Sequence, residues 1–447
     1  MRSLPNHRGV KEGCAEGDCG ACTVVIGEMT PDRRVEYRAV DSCLLFLPML
    51  HGKQLITVEN LKSPDGQLHP VQTAMVDEHA SQCGFCTPGI VMAMFALYKN
   101  STNPSNEEIG HALTGNLCRC TGYKPILEAA SKACSGTAKD HFSSEESHIC
   151  DLLASIPRNS VSIATDTQRY DQPLTLAECF DLLVRYPNAT VVNGATDVAL
   201  RVTKKFELLS HIIDCSRIDE LVKVTADTWS VSIGAGVQMS DMMGVVEKDF
   251  PALHEMLLAF GARQIRNLAT IGGNIATASP VGDTLPVLIA YGATFILQSR
   301  KGKRIVNATD WVKGYRKTER RSDELITAIV LPRPTSNMKI RSYKVSKRSD
   351  LDIATVSSAF RLEVDRDGLV SDIILAYGGM ADRPKRAEAT EVFLKGKRWK
   401  RDVIEEAQRI MDRDFTPISD VRGSAEFRKY AARNLILKFW NDTVIAR

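Results

Sequence analysis

The chain has 447 residues, of which 44% are hydrophobic and 25% are charged, a balance typical of a soluble globular protein with about three domains. Its formal net charge of +3 is too small to indicate a binder of nucleic acid or of an anionic membrane. The apolar run Ile90 to Tyr98 is too short to span a bilayer, and the first ten residues lack the apolar core of a signal peptide. We therefore expect a cytoplasmic protein, in which twelve cysteines favour metal ligation over disulfides.

The first motif along the chain is a loop rich in cysteine and glycine. Three cysteines separated by four and then two residues are followed by a fourth, which is the plant-type ferredoxin spacing for a 2Fe–2S cluster. Gly13, Gly17 and Gly20 would let the backbone approach the cluster closely and adopt positive φ. A zinc loop is the alternative, but zinc sites usually combine two pairs rather than three ligands and one. This first cysteine set consists of Cys14, Cys19, Cys22 and Cys43.

Short β-type runs surround the first cysteine set, and the pattern from about residue 67 to residue 136 is helical. Pro88 opens an apolar helix whose positive N-terminal end would face nearby thiolates. Two pairs of cysteines near helix ends could hold either zinc or a second cluster, and the spacing alone leaves both open. This second cysteine set consists of Cys83, Cys86, Cys118 and Cys120. The scattered thiols, expected to be ordinary core or surface residues, are Cys134, Cys150, Cys179 and Cys215.

Residues 137–172 are rich in Ser, Asp, Thr and Gln with little periodicity, which predicts a linker. After Pro173, strand-like and helix-like runs alternate, as in an α/β domain. The turn at 193–196 follows a β-branched run, so its free N–H groups predict an anion-binding nest, and the segment 270–274 predicts a second one. The segment 232–239 begins like a dinucleotide fingerprint, but Met239 stands where the third glycine belongs, so we interpret it as a structural turn.

Several motifs, in order along the chain, resemble the xanthine dehydrogenase (molybdenum hydroxylase) family. The segments similar to its two 2Fe–2S domains are Lys11–Thr23, Gln82–Gly89 and Gly115–Tyr123. Those similar to its flavin domain and the C-terminal companion of that domain are Val191–Asp197, Ala269–Pro280 and Ala376–Asp382. The resemblance extends over essentially the whole chain. It favours a second 2Fe–2S cluster, rather than zinc, at the second cysteine set.

The resemblance implies an α+β multidomain fold. The expected parts are a β-grasp 2Fe–2S ferredoxin domain (1–62), a four-helix 2Fe–2S domain (63–136), a linker (137–172), a two-part α/β FAD-binding domain (173–334) and a small α+β C-terminal domain (335–447). Relatives have a longer segment before the first cysteine loop, so we expect an N-terminally truncated ferredoxin domain or a misassigned start, and a first cluster that is the weakest part of the molecule. The flavin domain is expected to fold independently of the cluster domains.

The implied function is electron relay in an NAD-dependent oxidoreductase. By resemblance the chain is the small iron–sulfur and FAD subunit of a two-subunit enzyme. It would take electrons from hypoxanthine or xanthine oxidation at a molybdenum cofactor on a large partner subunit, in a heterotetramer of two small and two large subunits. Two 2Fe–2S clusters would pass the electrons to FAD and on to NAD, with oxygen as the other possible acceptor. No side chain is assigned a catalytic role, and no nucleic-acid or membrane partner is expected.

Three alternatives stay open at this point. The chain could be the equivalent subunit of another molybdenum hydroxylase, of the carbon monoxide, aldehyde or nicotinate dehydrogenase type. It could also be a truncated fragment defective in the relay, or a non-enzymatic scaffold of two zinc-stabilised modules. The flavin contacts that the resemblance implies are Val191, Val192, Asn193, Gly194, Ala195, Thr196, Asp197, Val198, Phe260, Thr270, Ile271, Gly272, Gly273, Asn274, Thr277, Asp283, Ile326 and Lys344.

Overall fold

The computed structural model describes residues 5–136 and 139–444. Its strands are β1 Thr23–Met29, β2 Val35–Asp41, β3 Gln54–Ile56, β4 Val161–Ala164, β5 Arg169–Gln172, β6 Thr190–Val192, β7 His211–Asp214, β8 Val224–Ala226, β9 Ser230–Gly234, β10 Thr294–Ser299, β11 Gly302–Asn307, β12 Val312–Gly314, β13 Lys317–Thr318, β14 Leu325–Pro332, β15 Lys339–Val345, β16 Val356–Val364, β17 Val370–Gly378 and β18 Lys385–Arg386. Its α-helices are α1 Pro70–Asp77, α2 Thr87–Asn100, α3 Asn106–Leu113, α4 Lys124–Ala133, α5 His141–Ser144, α6 Glu146–Ser155, α7 Leu176–Arg185, α8 Ala199–Thr203, α9 Met239–Val246, α10 Pro251–Leu258, α11 Arg263–Arg266, α12 Ile271–Thr277, α13 Thr284–Tyr291, α14 Glu388–Leu394, α15 Arg401–Ile410 and α16 Ala425–Val444.

The chain divides into two compact units that alternate along the sequence. Unit 1 comprises the residues up to Gln172 together with 190–216 and 261–269. Unit 2 comprises 173–189, 217–260 and the residues from Thr270 onward. Both cysteine sets and the turn at 193–196 therefore belong to the same unit. This differs from the expectation of a flavin domain that folds apart from the cluster domains, because two of its segments return to unit 1.

The first sheet of unit 1 is antiparallel, in the order β2-β1-β3, and both of its faces are covered. Successive side chains of a strand point to opposite faces. Accordingly Val25 packs with the helical core, while Val24 packs with Leu268 from the returning segment 261–269. The Asn267 side chain from the same segment donates a hydrogen bond to the Ala39 carbonyl at 2.8 Å. The returning segment is thus part of the core around the first cysteine set.

The helices α1 to α4 form the second part of unit 1, which confirms the predicted four-helix domain. Helix α2 begins with Pro88 in its first turn, where proline costs no hydrogen bond, and all of its residues from Gly89 to Tyr98 are buried. A helix that is apolar on every side belongs at the centre of a core. The other three helices and the first sheet surround it.

The segment predicted as the linker 137–172 instead carries the helices α5 and α6 and the strands β4 and β5. Helix α6 packs against the first sheet: the Glu146 carboxylate accepts a hydrogen bond from the Val35 N–H group at 3.0 Å, and Ile149 and Cys150 are buried. The buried face of this helix is only two or three residues wide. That is too short a pattern for periodicity to reveal in a polar segment, which explains why the linker prediction is wrong.

A buried group of charged side chains fixes the start of α5. The Asp140 carboxylate accepts hydrogen bonds from His69 Nε2 at 3.0 Å and from Lys99 Nζ at 2.9 Å. The side chains of Asp140 and His69 are each 1% exposed. Although burial by itself raises the pKa of Asp140, the hydrogen bonds from His69, Lys99 and Ser143 hold it well below its usual range. The carboxylate therefore stays charged in the folded chain.

We predict that Asp140→Ala lowers the free energy of unfolding by about 3–5 kcal/mol, because it leaves the buried Lys99 charge without its partner. Asp151→Ala is the matched control: this aspartate pairs with Arg33, but the two side chains are 65% and 57% exposed, so a loss below about 1 kcal/mol is expected. Denaturant titration of both variants checks this. Equal effects of the two substitutions would contradict it.

The second sheet of unit 1 has the order β4-β5-β7-β6, with β5, β7 and β6 parallel and β4 antiparallel. The turn 193–198 follows β6 directly and leads into α8. It therefore lies at the carboxyl end of a parallel strand, which is where open α/β sheets bind ligands.

Unit 2 contains a five-stranded antiparallel sheet in the order β11-β10-β14-β9-β8 and a four-stranded sheet in the order β15-β16-β17-β18. Helix α13 is buried along its whole length and packs against β16 and β17. The helices α14 to α16 cover the four-stranded sheet through a core that includes Phe360, Tyr377 and Phe439. These elements correspond to the expected second part of the flavin domain and the small α+β C-terminal domain.

Candidate functional site

The loop that carries the first cysteine set is wound tightly around its sulfur atoms. The N–H groups of Glu16, Asp18 and Cys19 point at Cys14 Sγ at 3.4, 3.3 and 3.3 Å, and the Cys14 N–H group points at Cys19 Sγ at 3.3 Å. Such donors stabilise a thiolate. Gly17 and Gly20 adopt φ of +76° and +66°, as predicted, which other residues rarely adopt. Gly13 does not adopt a positive φ, so the prediction is wrong for this glycine.

The other two thiols of the first cysteine set, Cys22 and Cys43, affect each other's ionisation: their interaction raises the pKa of Cys22 and lowers that of Cys43. Asp41, which the sequence analysis missed, lies beside them: it is fully buried, and its Oδ1 atom is 3.6 Å from Cys22 Sγ and 3.5 Å from Thr23 Oγ1. Burial raises the pKa of Asp41 to about 7. No sequence pattern distinguishes this aspartate from a surface residue.

The second cysteine set also forms two pairs. Cys83 and Cys120 lie with their sulfur atoms 3.6 Å apart, and both residues are exposed. Burial, together with the neighbouring Cys118 thiol, raises the pKa of Cys86 to about 12. Helix α2 starts immediately after Cys86, so its positive end faces the thiols as predicted.

The pairing indicates which metal centre the two sets fit. In a 2Fe–2S cluster each iron takes two cysteine ligands, so four thiols divide into two pairs. A single zinc ion needs all four ligands around one point. Among the described residues, no three His, Cys, Asp or Glu side chains converge on one point in that way. Two pairs of thiols are an arrangement that a 2Fe–2S cluster can use.

The turn after β6 in unit 1 has the features of an anion-binding nest. Ala195 adopts a positive φ of 59° next to Gly194, and within the described residues no hydrogen bond takes up the N–H groups of Gly194, Ala195 or Thr196. Alternating backbone conformations with free N–H groups form a concave anion site. The Asn193 side chain donates to the Cys215 carbonyl at 3.3 Å and ties the turn to the end of β7.

The segment 270–274 in unit 2 differs from the predicted second nest. The N–H groups of Ile271 and Gly272 donate to the carbonyls of Val237 and Ala235 at 3.2 and 2.9 Å. The Gly273 N–H group donates to Thr270 Oγ1 at 3.2 Å, which caps α12. These donors are used within the protein, so the prediction of free N–H groups here is wrong. Backbone packing against the turn 234–238 is the reason.

Two adjacent glycines of this segment nevertheless differ in their surroundings. A Cβ atom at Gly272 would lie 2.5 Å from the Cβ atom and 2.6 Å from the carbonyl oxygen of Ala235. At Gly273 a Cβ atom would meet only Thr270 Oγ1, at 3.0 Å, and the residue is exposed. Gly272 is therefore needed for internal packing, whereas Gly273 leaves open space over the backbone.

We predict opposite results for valine at these two positions. Gly273→Val should keep the stability of unit 2 but reduce the flavin bound per chain, because the new side chain fills the open space. Gly272→Val should lower the free energy of unfolding by about 1–3 kcal/mol through overpacking against Ala235. Thermal unfolding and the ratio of flavin to protein absorbance distinguish the two effects. Full flavin retention by Gly273→Val would contradict the placement.

A buried ion pair joins two further candidate flavin contacts in unit 2. Lys344 Nζ lies 2.8 Å from Asp283 Oδ2, with side-chain exposures of 7% and 8%, and it also donates to the Ala259 carbonyl at 2.7 Å. Burial raises the pKa of Asp283, and Lys344 opposes that rise. The second oxygen, Oδ1, is buried with no partner among the described residues. A buried acceptor without a donor fits a ligand that offers an N–H group.

The remaining candidate contacts are more dispersed. Ile326 is buried in β14, Thr277 ends α12, and Phe260 follows α10. The eight residues 191–198 lie in unit 1 and the other ten lie in unit 2. Next to Lys344, unit 2 has a cavity of about 530 Å³ whose lining includes Ser342, Lys344, Ser346, Lys347, Arg348 and Ser349. This size suits a small-molecule ligand, and the cations and hydroxyls suit phosphate groups.

Comparison with known protein families finds three matching domains. Residues 57–131 match the 2Fe-2S binding domain, and residues 165–334 match the FAD binding domain in molybdopterin dehydrogenase. Residues 341–443 match the CO dehydrogenase flavoprotein C-terminal domain. The first match contains the second cysteine set and the other two contain the flavin segments, while the first cysteine set precedes all three matched ranges.

Curated relatives include the xanthine dehydrogenase of Oryza sativa subsp. japonica, which is 31% identical over 97% of this chain, and the xanthine dehydrogenase/oxidase of Gallus gallus, which is 32% identical over 97%. The chain spans 37% of the length of each of these relatives. Among solved structures, the carbon monoxide dehydrogenase of Hydrogenophaga pseudoflava matches with a TM-score of 0.58 and 27% identity, covering 62% of this chain and 96% of that one. A Cu,Mo-CO dehydrogenase chain matches with a TM-score of 0.57 and 26% identity, covering 62% of this chain and 97% of that one. Among the described residues, no helix has the length and apolar composition that crossing a bilayer requires.

Proposed function

Because this chain belongs to the molybdenum hydroxylase family, we propose that it is the iron–sulfur and flavin electron-transfer part of a xanthine dehydrogenase. The observation that carries the proposal is the presence of two cysteine sets in one unit, each resolved into two thiol pairs, ahead of a matched flavin domain. A single metal-stabilised module would need only one such set. Two sets followed by a flavin domain suit a chain of redox centres.

The proposed role of the chain's own residues is to hold the redox groups. The eight cysteines would ligate two 2Fe–2S clusters, and the residues 191–198, 270–274, Asp283 and Lys344 would contact FAD. When bound, the clusters carry single electrons and FAD pairs them for hydride transfer, which iron–sulfur centres cannot perform. Cys83 and Cys120 are exposed whereas Cys22 is buried, so the second cysteine set is the one suited to receive electrons from outside the chain.

We propose a molybdenum-cofactor-binding large subunit as the electron donor, with hypoxanthine or xanthine as its substrate and two copies of each subunit in the assembly. Xanthine dehydrogenases are among the curated relatives, which supports this choice of substrate. NAD is the proposed acceptor, for whose phosphates the lining of the cavity beside Lys344 supplies Lys347 and Ser349. The free cysteines and the NAD acceptor both suit the cytoplasm, the location that we propose.

The test is the metal and flavin content of the chain purified without oxygen. We expect about four iron atoms, in two 2Fe–2S clusters, and one non-covalent FAD per chain. Cys118→Ser should remove about half of the iron, and Cys134→Ser, a buried thiol outside both sets, should remove none. Elemental analysis and electron paramagnetic resonance of the reduced protein check this. Zinc in place of iron, or equal iron loss in both variants, would contradict it.

A second candidate is the equivalent subunit of a carbon monoxide dehydrogenase. It is favoured by the structural match to carbon monoxide dehydrogenase chains, which extends over 62% of this chain. Copurification with the molybdenum-binding partner and a screen with purines, aldehydes and carbon monoxide would separate the two. Reduction of the chain's flavin by carbon monoxide but not by xanthine would favour the second candidate.

A further inference from the structure

The loops of the two cysteine sets are joined by a direct backbone hydrogen bond inside unit 1. The Leu117 N–H group donates to the Cys19 carbonyl at 3.1 Å. Leu117 immediately precedes Cys118, so this one hydrogen bond connects a candidate ligand of the first set to a candidate ligand of the second. The path runs from Cys19 through its carbonyl to Leu117 and across one peptide bond to Cys118.

The backbones at this junction are packed without room for side chains. A Cβ atom at Gly20 would lie 2.2 Å from the Gly115 carbonyl oxygen, and a Cβ atom at Gly89 would lie 2.2 Å from the Gly20 carbonyl oxygen. The buried Asn116 side chain crosses the junction and donates to the Gly20 carbonyl at 3.0 Å and to Thr23 Oγ1 at 3.1 Å. Asn116 therefore holds the two loops together next to the Leu117–Cys19 bond.

Gln264, from the returning segment 261–269, holds Asn116 in turn. It is fully buried, and its Nε2 group donates to Asn116 Oδ1 at 2.7 Å across 148 residues of sequence. Its Oε1 atom is buried with no partner among the described residues. An unpaired buried oxygen costs about 1–3 kcal/mol, so a purely structural role would be better served by an apolar side chain. A Cβ atom at Gly115 would lie only 2.1 Å from this oxygen, so the Gln264 side chain packs directly against the Gly115 backbone.

We propose that Gln264 and Asn116 are positioning residues for electron transfer between the two cluster sites. They fix the Leu117–Cys19 hydrogen bond through which one electron passes from the reduced cluster of the second set to the oxidised cluster of the first. One cluster is oxidised and the other reduced by one electron, and no bond or proton moves. The inference rests on the proposed function, since it requires both sets to hold clusters.

The experiment uses the full chain loaded with iron and flavin, in which single electrons are injected by pulse radiolysis and followed by absorbance. Gln264→Met keeps the side-chain length but removes the donor. Asn116→Ala removes the same hydrogen bond from its other end, together with the hydrogen bonds to Gly20 and Thr23. We expect the inter-cluster rate to fall roughly tenfold in each variant, because small displacements of reacting groups are costly. The magnetic coupling between the two reduced clusters should weaken as well, while iron content stays constant.

Asn100→Leu is the matched control, because the Asn100 side chain also donates to two backbone carbonyls of unit 1, those of Tyr37 and Ala96, at 2.6 and 2.7 Å. It should leave the inter-cluster rate unchanged. The double variant should be no slower than either single variant, because both substitutions remove the Gln264–Asn116 hydrogen bond. An unchanged inter-cluster rate in a variant that retains its iron would overturn the proposal. If one variant loses iron, the inter-cluster rate of the other variant is the test. Wild-type protein without two clusters would instead refute the proposed function.

Discussion

Replacing Gly194 with valine is expected to abolish flavin binding and to lower the free energy of unfolding of unit 1 by about 3 kcal/mol or more. A Cβ atom at this position would lie 1.7 Å from the Leu268 carbonyl oxygen and 2.6 Å from its carbonyl carbon. Both residues belong to unit 1, and the Leu268 backbone cannot move without breaking other bonds, since Leu268 and Ala269 donate to the Ile265 carbonyl. The turn must therefore leave its place, and its free N–H groups would be lost as a phosphate site.

The measurement is the flavin-to-protein ratio together with a denaturant titration. Gly110→Val is the control, since this glycine lies in α3 of the same unit and a Cβ atom there has no neighbour within 4 Å. It should change the stability by less than about 1 kcal/mol and leave the flavin bound. Normal flavin content in Gly194→Val would show that the turn 193–196 does not hold the cofactor.

Replacing Lys344 with methionine is expected to lower the free energy of unfolding by about 3–5 kcal/mol in the flavin-free chain, because Asp283 would remain buried and charged without its partner. Methionine approximates the length of the lysine stem, so packing is largely kept. The double variant Asp283→Asn with Lys344→Met removes both charges and should recover most of the loss. A single variant as stable as the wild type would contradict the burial of this pair.

The same variant should acquire a pH dependence of known sign. Burial already raises the pKa of Asp283, and Lys344 opposes the rise, so removal of Lys344 raises this pKa further. A carboxyl group whose pKa is higher in the folded chain binds more protons there than in the unfolded chain. The free energy of unfolding should therefore fall as the pH rises from about 4 through the folded pKa of Asp283. Denaturant titrations at pH 5 and pH 8, compared with the double variant, check the slope.

The two cysteine sets are the part of the molecule for which the sequence makes the most definite prediction. Spacing alone predicts a shared centre for Cys14, Cys19 and Cys22, because ligands that are close in sequence are close in space. The glycines between them indicate where the backbone needs a positive φ. For the second cysteine set, spacing left zinc open. The three-dimensional pairing, Cys83 with Cys120 and Cys86 with Cys118, is the arrangement that two irons would require, and spacing does not reveal it.

Features that depend on distant parts of the chain could not be predicted. Segment 270–274 has the glycines of a nest, yet Val237 and Ala235 take up the N–H groups of Ile271 and Gly272, and sequence does not reveal such partners. Gln264 carries no motif, and its role follows only from its contact with Asn116. Local patterns report the backbone conformation of a segment, whereas the partners of its polar groups are set by tertiary packing.

The returning segment 261–269 also imposes an order on the synthesis of the protein. Asn267 and Ala39 are hydrogen-bonded across 228 residues. At ribosomal speeds of about 5–20 residues per second, Asn267 and Leu268 are therefore synthesised roughly 10–45 seconds after the first sheet. During that interval the face of the sheet that carries Val24 and Val40 has no cover from this segment. A chaperone that shields nascent apolar strands would have to cover this face of the first sheet for the whole interval. Iron delivered to the first cysteine set before residue 269 is synthesised would reach an incompletely folded site.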